Sequence, residues 1–187
     1  IKLTTDLGIS RAVFIGTSMG GIITMTLAVK RLSLIAGAIL NDVGPVISQT
    51  GLTRIAGYAG KGKPVDSWSE AANYIRDINQ AAFPKNTMDD WGVWARRTFA
   101  ENIQGQLVLR YDPNIARPLQ TGKLKATSLL AKLAFRRLAR NRPTLLIRGA
   151  LSDIIEPEQA TYMRAAAPTM QYAEVPKVGH APMLMEA

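Results

Sequence analysis

The stretch VFIGTSMGGIITM, residues 13–25, constrains the fold more than any other part of the chain. Its first half is short, apolar and partly β-branched, as a buried strand is, and its continuation reads as a helix from about Gly20 to Lys30. The turn between them is built of small residues, with Gly16 and Gly20 on either side of Ser18, which points to backbone that is crowded or forced into conformations bulkier residues resist. Ahead of it, Asp6 to Ser10 reads as a helix end and a turn. Behind it, LIAGAILND (34–42) is a second buried strand, broken by VGP. The alternation returns near the other end of the chain. RPTLLIRGA (142–150) reads as a strand, EPEQATYMRAAA (156–167) as a helix and MQYAEVP (170–176) as a strand. Buried strands alternating with helices imply an α/β fold, with a parallel sheet covered on both faces.

Between these halves the pattern changes. Residues 47–140 carry helical segments punctuated by Gly and Pro, including SWSEAANYIRDINQAAF and TMDDWGVWARRTFAEN, and read as an insertion into a core made of 1–46 and 141–187. The formal charge of +9 is concentrated here: residues 61–140 hold 14 Lys and Arg against 7 Asp and Glu. The segment 123–142 is expected to form a helix with Leu129, Leu130, Leu133 and Leu138 inward and Lys132, Arg136, Arg137 and Arg140 outward. Such a face suits an anionic membrane or a phosphate backbone, but a charge run of this kind ordinarily forms a solvated face, so no nucleic-acid partner is expected.

Composition removes several chemistries. With no cysteine, disulfides and thiolate catalysis are excluded, and with a single histidine, His180, so is a multi-histidine metal site. No apolar run approaches the roughly 20 residues of a transmembrane helix. A reducing compartment is compatible with this, and a cytoplasmic location is the expectation.

In parallel α/β sheets, reactive groups collect past the carboxyl ends of strands. Ser18, Asp153 and His180 each lie a few residues beyond such an end, following AVFIGT, TLLIRGALS and YAEVPKVG. Asp42, at the end of LIAGAILND, is a rival to Asp153. Gly16 to Gly20 fits G-x-S-x-G, in which a sharp strand-to-helix turn lifts a serine hydroxyl above the sheet.

With GTSMGG, LLIRGALSDIIEP and VGHAPML in this order, the sequence resembles the serine α/β-hydrolase family, and these motifs cover nearly the whole chain. The resemblance implies an α/β-hydrolase fold with the insertion as a helical cap. It also implies a role for each residue. Ser18 is the nucleophile, His180 the base, Asp153 the acid that orients His180, and the Met19 N–H one oxyanion donor. Some members carry the acid one strand earlier, which is where Asp42 stands. The expected activity is hydrolysis of a carboxylic ester in a small-molecule acyl substrate through an acyl-serine, with no cofactor or metal.

Carbon-carbon bond hydrolases, enol-lactonases and perhydrolases use the same triad and stay open, as does a non-enzymatic module with a basic cap. An aspartate-nucleophile enzyme is disfavoured by serine at position 18. Met19, Trp91, Trp94 and Tyr111 are candidates for an acyl pocket, although such residues more often belong to a core. Measured against the family, both ends look truncated: strands and a second oxyanion donor are expected before the elbow, and a helix after MLMEA. The chain alone is therefore expected to expose an apolar sheet edge and to turn over esters poorly.

Overall fold

The computed structural model describes residues 1–121 and 126–184. In chain order the elements are α1 (Lys2–Asp6), β1 (Ala12–Thr17), α2 (Met19–Arg31), β2 (Ile35–Asn41), α3 (Gln49–Tyr58), α4 (Trp68–Asn79) and α5 (Met88–Thr98). They continue with β3 (Phe99–Glu101), β4 (Leu107–Leu109), α6 (Arg117–Gln120), α7 (Leu129–Ala139), β5 (Thr144–Gly149), α8 (Pro157–Ala166) and β6 (Gln171–Val175). The chain forms two compact units, Ile1–Gly51 with Lys125–Ala187, and Leu52–Leu124.

The first unit holds a four-stranded parallel sheet in the order β1-β2-β5-β6. Its central strands read as apolar runs because both of their faces are covered: Ile35, Ala38, Leu40 and Leu146 are buried. Strand β1 is an edge. Its apolar residues alternate, and Val13 and Ile15 are 63% and 61% exposed. Pairing in register sets Thr17 beside Asn41 and Asn41 beside Ile147. The next residues, Ser18 and Asp42, therefore leave the sheet side by side at its carboxyl end.

Helix α2 packs on β1, β2 and α7. The inward face of α7 differs from the expectation. Leu138 is buried, but Leu129, Leu130 and Leu133 are 75%, 67% and 51% exposed, and the core-facing stripe is Ala134, Phe135, Leu138 and Ala139. Small buried residues, Ala134 and Ala139 on α7 and Ala28 on α2, provide flatter faces than leucines. Arg136, Arg137 and Arg140 are exposed, as expected, and two of them also close helix ends, Arg137 Nε donating to Ala28 O at 2.9 Å and Arg140 Nε to Ala166 O at 2.8 Å. Of the helix expected over 123–142, residues 122–125 lie outside the described residues. The strand-like approach of Val46 to Thr127, with Ile47 N donating to Ala126 O at 2.7 Å, brings together the two ends of the chain that bracket the second unit. That unit begins at Leu52 and ends at Leu124, so α7, which the expected insertion 47–140 contained, belongs to the first unit.

The second unit is built on α4 and α5. Ser67 caps α4 through the Glu70 N–H, and Thr87 with Asp90 forms a capping box on α5. Its interior is aromatic: Trp91 stacks on Trp94 at 5.6 Å between centroids, and Phe83 meets Trp94 edge-on at 5.3 Å. Trp91 is buried here as a core residue. The antiparallel pair β3 and β4, three residues each, was not expected, since strands so short leave no alternation to read.

Candidate active site

Ser18 stands at the junction of β1 and α2 with φ 49° and ψ −116°, a conformation that an L side chain adopts only where its surroundings enforce it. Two glycines make the junction possible. A Cβ on Gly16 would lie 2.5 Å from Gly21 N, so strand and helix approach too closely there for any side chain. A Cβ on Gly21 would overlap the buried Val43 side chain and stand 3.0 Å from Gly16 O. Gly20, by contrast, has no atom within 4 Å of where a Cβ would stand, so the crowding expected of Gly16 and Gly20 falls on Gly16 and Gly21. The Ser18 N–H donates to Asn41 O at 3.1 Å, which ties the turn to the end of β2. Met19 opens α2, and its N–H is one of the first-turn amides that have no acceptor inside a helix.

His180 meets both ends of a proton path. Its Nε2 is 3.0 Å from Ser18 Oγ, and its Nδ1 is 2.7 Å from Asp42 Oδ2. The acid expected at Nδ1 was Asp153; the carboxylate found there is that of Asp42. Register explains the difference. Asp42 leaves β2 next to Ser18 on the neighbouring strand, whereas Asp153 lies four residues beyond the end of β5, after the chain has turned back. Leu151 N bonds Val178 O at 2.8 Å and Ser152 N bonds Gly149 O at 2.9 Å in that turn, and it is Ser152 that it aims at the site. Asp153 is half-buried, and its backbone carbonyl sits against Gly51, where a Cβ would collide with it.

The Asp42 carboxylate is fully buried and satisfied on both oxygens. Oδ1 accepts the Gly149 N–H at 3.0 Å, and Oδ2 accepts the Ser152 hydroxyl at 2.5 Å as well as His180. A buried carboxylate costs several kcal/mol unless donors surround it, and three surround this one. Because a carboxylate only accepts, His180 Nδ1 carries the proton and Nε2 offers its lone pair to the Ser18 hydroxyl. Asp42 itself has φ 55°, held by its N–H to Ile147 O at 2.8 Å.

Two further groups place the loops. Asn41 Nδ2 donates to Thr17 Oγ1 at 3.0 Å and to Pro182 O at 2.8 Å, so the histidine loop is pinned to the ends of β1 and β2. Arg148, almost wholly buried, donates to Ile155 O at 2.6 Å and pairs with Glu174 at 2.7 Å, bracing the loop that carries Gly149 and Ser152. The Tyr172 hydroxyl, and after it Arg148, hold the Glu174 carboxyl below the usual carboxylate range. Gly149, Ser152, Asn41 and Arg148 were not among the expected site residues. No motif marks them, because each acts through a partner 24 to 141 residues away or through the local loop.

Among the described residues no group of three or more His, Asp and Glu is placed to hold a metal ion, and no helix is long and apolar enough to cross a membrane.

Comparison with known proteins agrees with this architecture. A 3-hydroxybutyrate-oligomer hydrolase from Cupriavidus necator is 31% identical over 191 residues, an alignment that takes in 100% of this chain and 64% of the relative. The crystal structure of an alpha/beta hydrolase from Novosphingobium aromaticivorans superposes with a TM-score of 0.86 at 38% identity, over 98% of this chain and 64% of that one. E-2-(acetamidomethylene)succinate hydrolase shares the fold alone, with a TM-score of 0.78 at 18% identity, over 98% of this chain and 64% of its own. The chain thus spans somewhat less than two thirds of the length of these relatives. The profile of the alpha/beta hydrolase family matches residues 2–187, and with the sheet order, the strand-serine-helix turn and these likenesses in agreement, the chain belongs to the alpha/beta hydrolase family.

Proposed function

We propose that this chain carries the nucleophile, base and acid of a serine hydrolase that cleaves carboxylic esters through an acyl-serine intermediate. The observation that carries the reading is the continuous path from Ser18 Oγ through both ring nitrogens of His180 to the buried Asp42 carboxylate, at 3.0 and 2.7 Å. A serine hydroxyl attacks an acyl carbon only as its proton leaves, and His180 Nε2 is within reach of that proton. The imidazolium formed then faces Asp42, whose charge stabilises it, and returns the proton to the departing alkoxide. Water repeats the sequence on the acyl-serine, with His180 again as base. The Met19 N–H, at the positive end of α2, is proposed as one donor to the tetrahedral oxyanion.

Among acyl bonds, an ester linking short hydroxyacyl units is the reading we favour, because the 31% identical relative is a 3-hydroxybutyrate-oligomer hydrolase and its likeness extends over this whole chain. The helical unit 52–124 is proposed to be the specificity insertion, the part that selects among esters rather than the part that cleaves them.

The test is active-site labelling of the intact protein with a fluorophosphonate, followed by peptide mass spectrometry. A covalent adduct on Ser18, lost in Ser18→Ala together with turnover of short 3-hydroxybutyrate oligomers and aryl esters, is expected. An adduct elsewhere, or turnover surviving in Ser18→Ala, overturns the serine mechanism. Labelling of Ser18 with no ester turned over overturns only the choice of bond.

A further inference from the structure

The loop after β5 brings a second serine into the site, and it does not face a substrate. Ser152 is buried, and its hydroxyl is fully committed. The oxygen accepts two backbone N–H groups, from Ile154 at 3.1 Å and Ile155 at 3.2 Å, so both of its lone pairs are used. Its one proton is then left to donate, and the acceptor at 2.5 Å is Asp42 Oδ2, the same oxygen that receives His180 Nδ1–H. The two amides fix the direction of the O–H. A free serine hydroxyl rotates among several acceptors, and this one does not.

We propose that Ser152 is a positioning residue of the hydrolase: it locks the Asp42 carboxylate in the plane that aims Oδ2 at His180, and so holds the imidazole in line with Ser18. This rests on the serine-hydrolase reading above. The need for such a lock follows from how Asp42 is attached. Its carboxylate turns about its own Cβ–Cγ bond, a torsion with a broad and soft profile, and apart from His180, the group it has to orient, an anchor at Oδ1 alone leaves that rotation loose. Gly149 N–H on Oδ1 and Ser152 O–H on Oδ2, one donor on each oxygen, fix it. Both donors come from the loop 149–152. That loop is in turn held against the histidine loop: Leu151 N donates to Val178 O, and a Cβ on Gly149 would stand 2.6 Å from the same carbonyl. One short loop thus sets the acid and braces the chain that brings in the base.

Because Ser152 acts through Asp42 and touches no substrate, its loss should lower kcat and leave KM nearly unchanged. Partners that orient functional groups from behind are typically worth about 10- to 100-fold, against the roughly 10,000-fold attached to the acid itself. The experiment uses Ser152→Ala and Ser152→Cys in the intact protein. The second keeps a proton on a somewhat larger atom that donates weakly, so the two variants disturb packing in opposite senses while both weaken the donor. Turnover of an aryl ester gives kcat and KM, and thermal melts report folding. Proton NMR follows the Nδ1–H of His180, the sole histidine of these 187 residues, assigned by its absence in His180→Gln.

The expected result is kcat down about 10- to 100-fold in Ser152→Ala and by less in Ser152→Cys, with KM within about twofold in both. The strongly hydrogen-bonded Nδ1–H resonance should move and broaden in the same order. Wild-type kcat and an unmoved resonance in Ser152→Cys and Ser152→Ala overturn the proposal. So does a Ser152→Ala protein that has lost its fold while Ser152→Cys is unaltered in both readouts, since Ser152 is then structural only. Failure of the serine-hydrolase reading shows separately, as turnover or labelling that persists in Ser18→Ala.

Discussion

Replacing Asp42 by Asn isolates the contribution of the acid, and the geometry fixes what each orientation of the amide does. With its oxygen kept on the Gly149 N–H, which lies 3.0 Å from Oδ1, the NH2 group faces His180 Nδ1 and the Ser152 hydroxyl. His180 must then place its proton on Nε2, 3.0 Å from Ser18 Oγ, where it blocks proton transfer. With the amide turned over, the imidazole keeps its tautomer but NH2 meets the buried Gly149 N–H, an unsatisfied donor pair costing about 1–3 kcal/mol. The first carries a like cost, since the Ser152 O–H, its lone pairs taken by Ile154 and Ile155, meets the same NH2; in either orientation the imidazolium loses its buried counter-charge, and the expected loss in kcat is up to roughly 10,000-fold, or about 5 kcal/mol of transition-state stabilisation. Asp153→Asn removes a half-buried carboxylate that is not the one bonded to His180, and kcat should stay within about threefold, the range of substitutions worth half a kcal/mol. Steady-state aryl-ester hydrolysis and the rate of fluorophosphonate labelling, measured on both variants and wild type, read the two effects, with thermal melts to confirm folding. A folded Asp42→Asn protein that retains a tenth or more of wild-type kcat, or a larger loss in Asp153→Asn than in Asp42→Asn, refutes the assignment of the acid.

At the elbow, Gly21→Ala should cost about 1–3 kcal/mol by overpacking against Val43, whereas Gly20→Ala, with open space around it inside a helix, should be neutral or stabilising by up to about 1 kcal/mol; denaturant melts rank them. Glu174→Gln should lower the melting temperature most near neutral pH. The Glu174 carboxyl is held below its usual range by Tyr172 and Arg148, so its contribution is present above that range and is lost as pH falls through the lowered value, and the two melting curves should converge in acid. The 187-residue chain by itself should self-associate through the open edge of β1, where Val13 and Ile15 are 63% and 61% exposed. Ile15→Lys should reduce the sedimenting oligomer without changing which serine is labelled, and an unchanged distribution would assign the association to another surface.

What could be read in the sequence divides along a physical line. The strands and their helices are local, since each is a few residues of one polarity, and β1, β2, β5 and β6 appear within about two residues of where composition places them. Ser18 and His180 are equally local, because a strand-to-helix turn lined with small residues has a short signature and the chain holds one histidine. The carboxylate bonded to His180 is not local. Asp42 and Asp153 both follow strand ends, and only the pairing of Thr17 with Asn41 decides that Asp42 emerges beside Ser18. Spacing along the chain carries no record of inter-strand register, and a shift of one residue would turn Asp42 to the other face. The same limit explains Ser152: its neighbour Asp153 has the charge that attracts attention, while the hydroxyl one position earlier has the direction. It explains α7 too, where the leucines supply most of the hydrophobicity but Ala134 and Ala139 supply the fit, and fit depends on what the facing helix presents. A polar residue past the end of a parallel strand is thus a candidate on sequence grounds, and the register of the strand beside it selects among candidates. Here that register places Asp42 beside Ser18, and Gly149 N–H and Ser152 O–H, from the end of the next strand and its loop, donate to the Asp42 carboxylate.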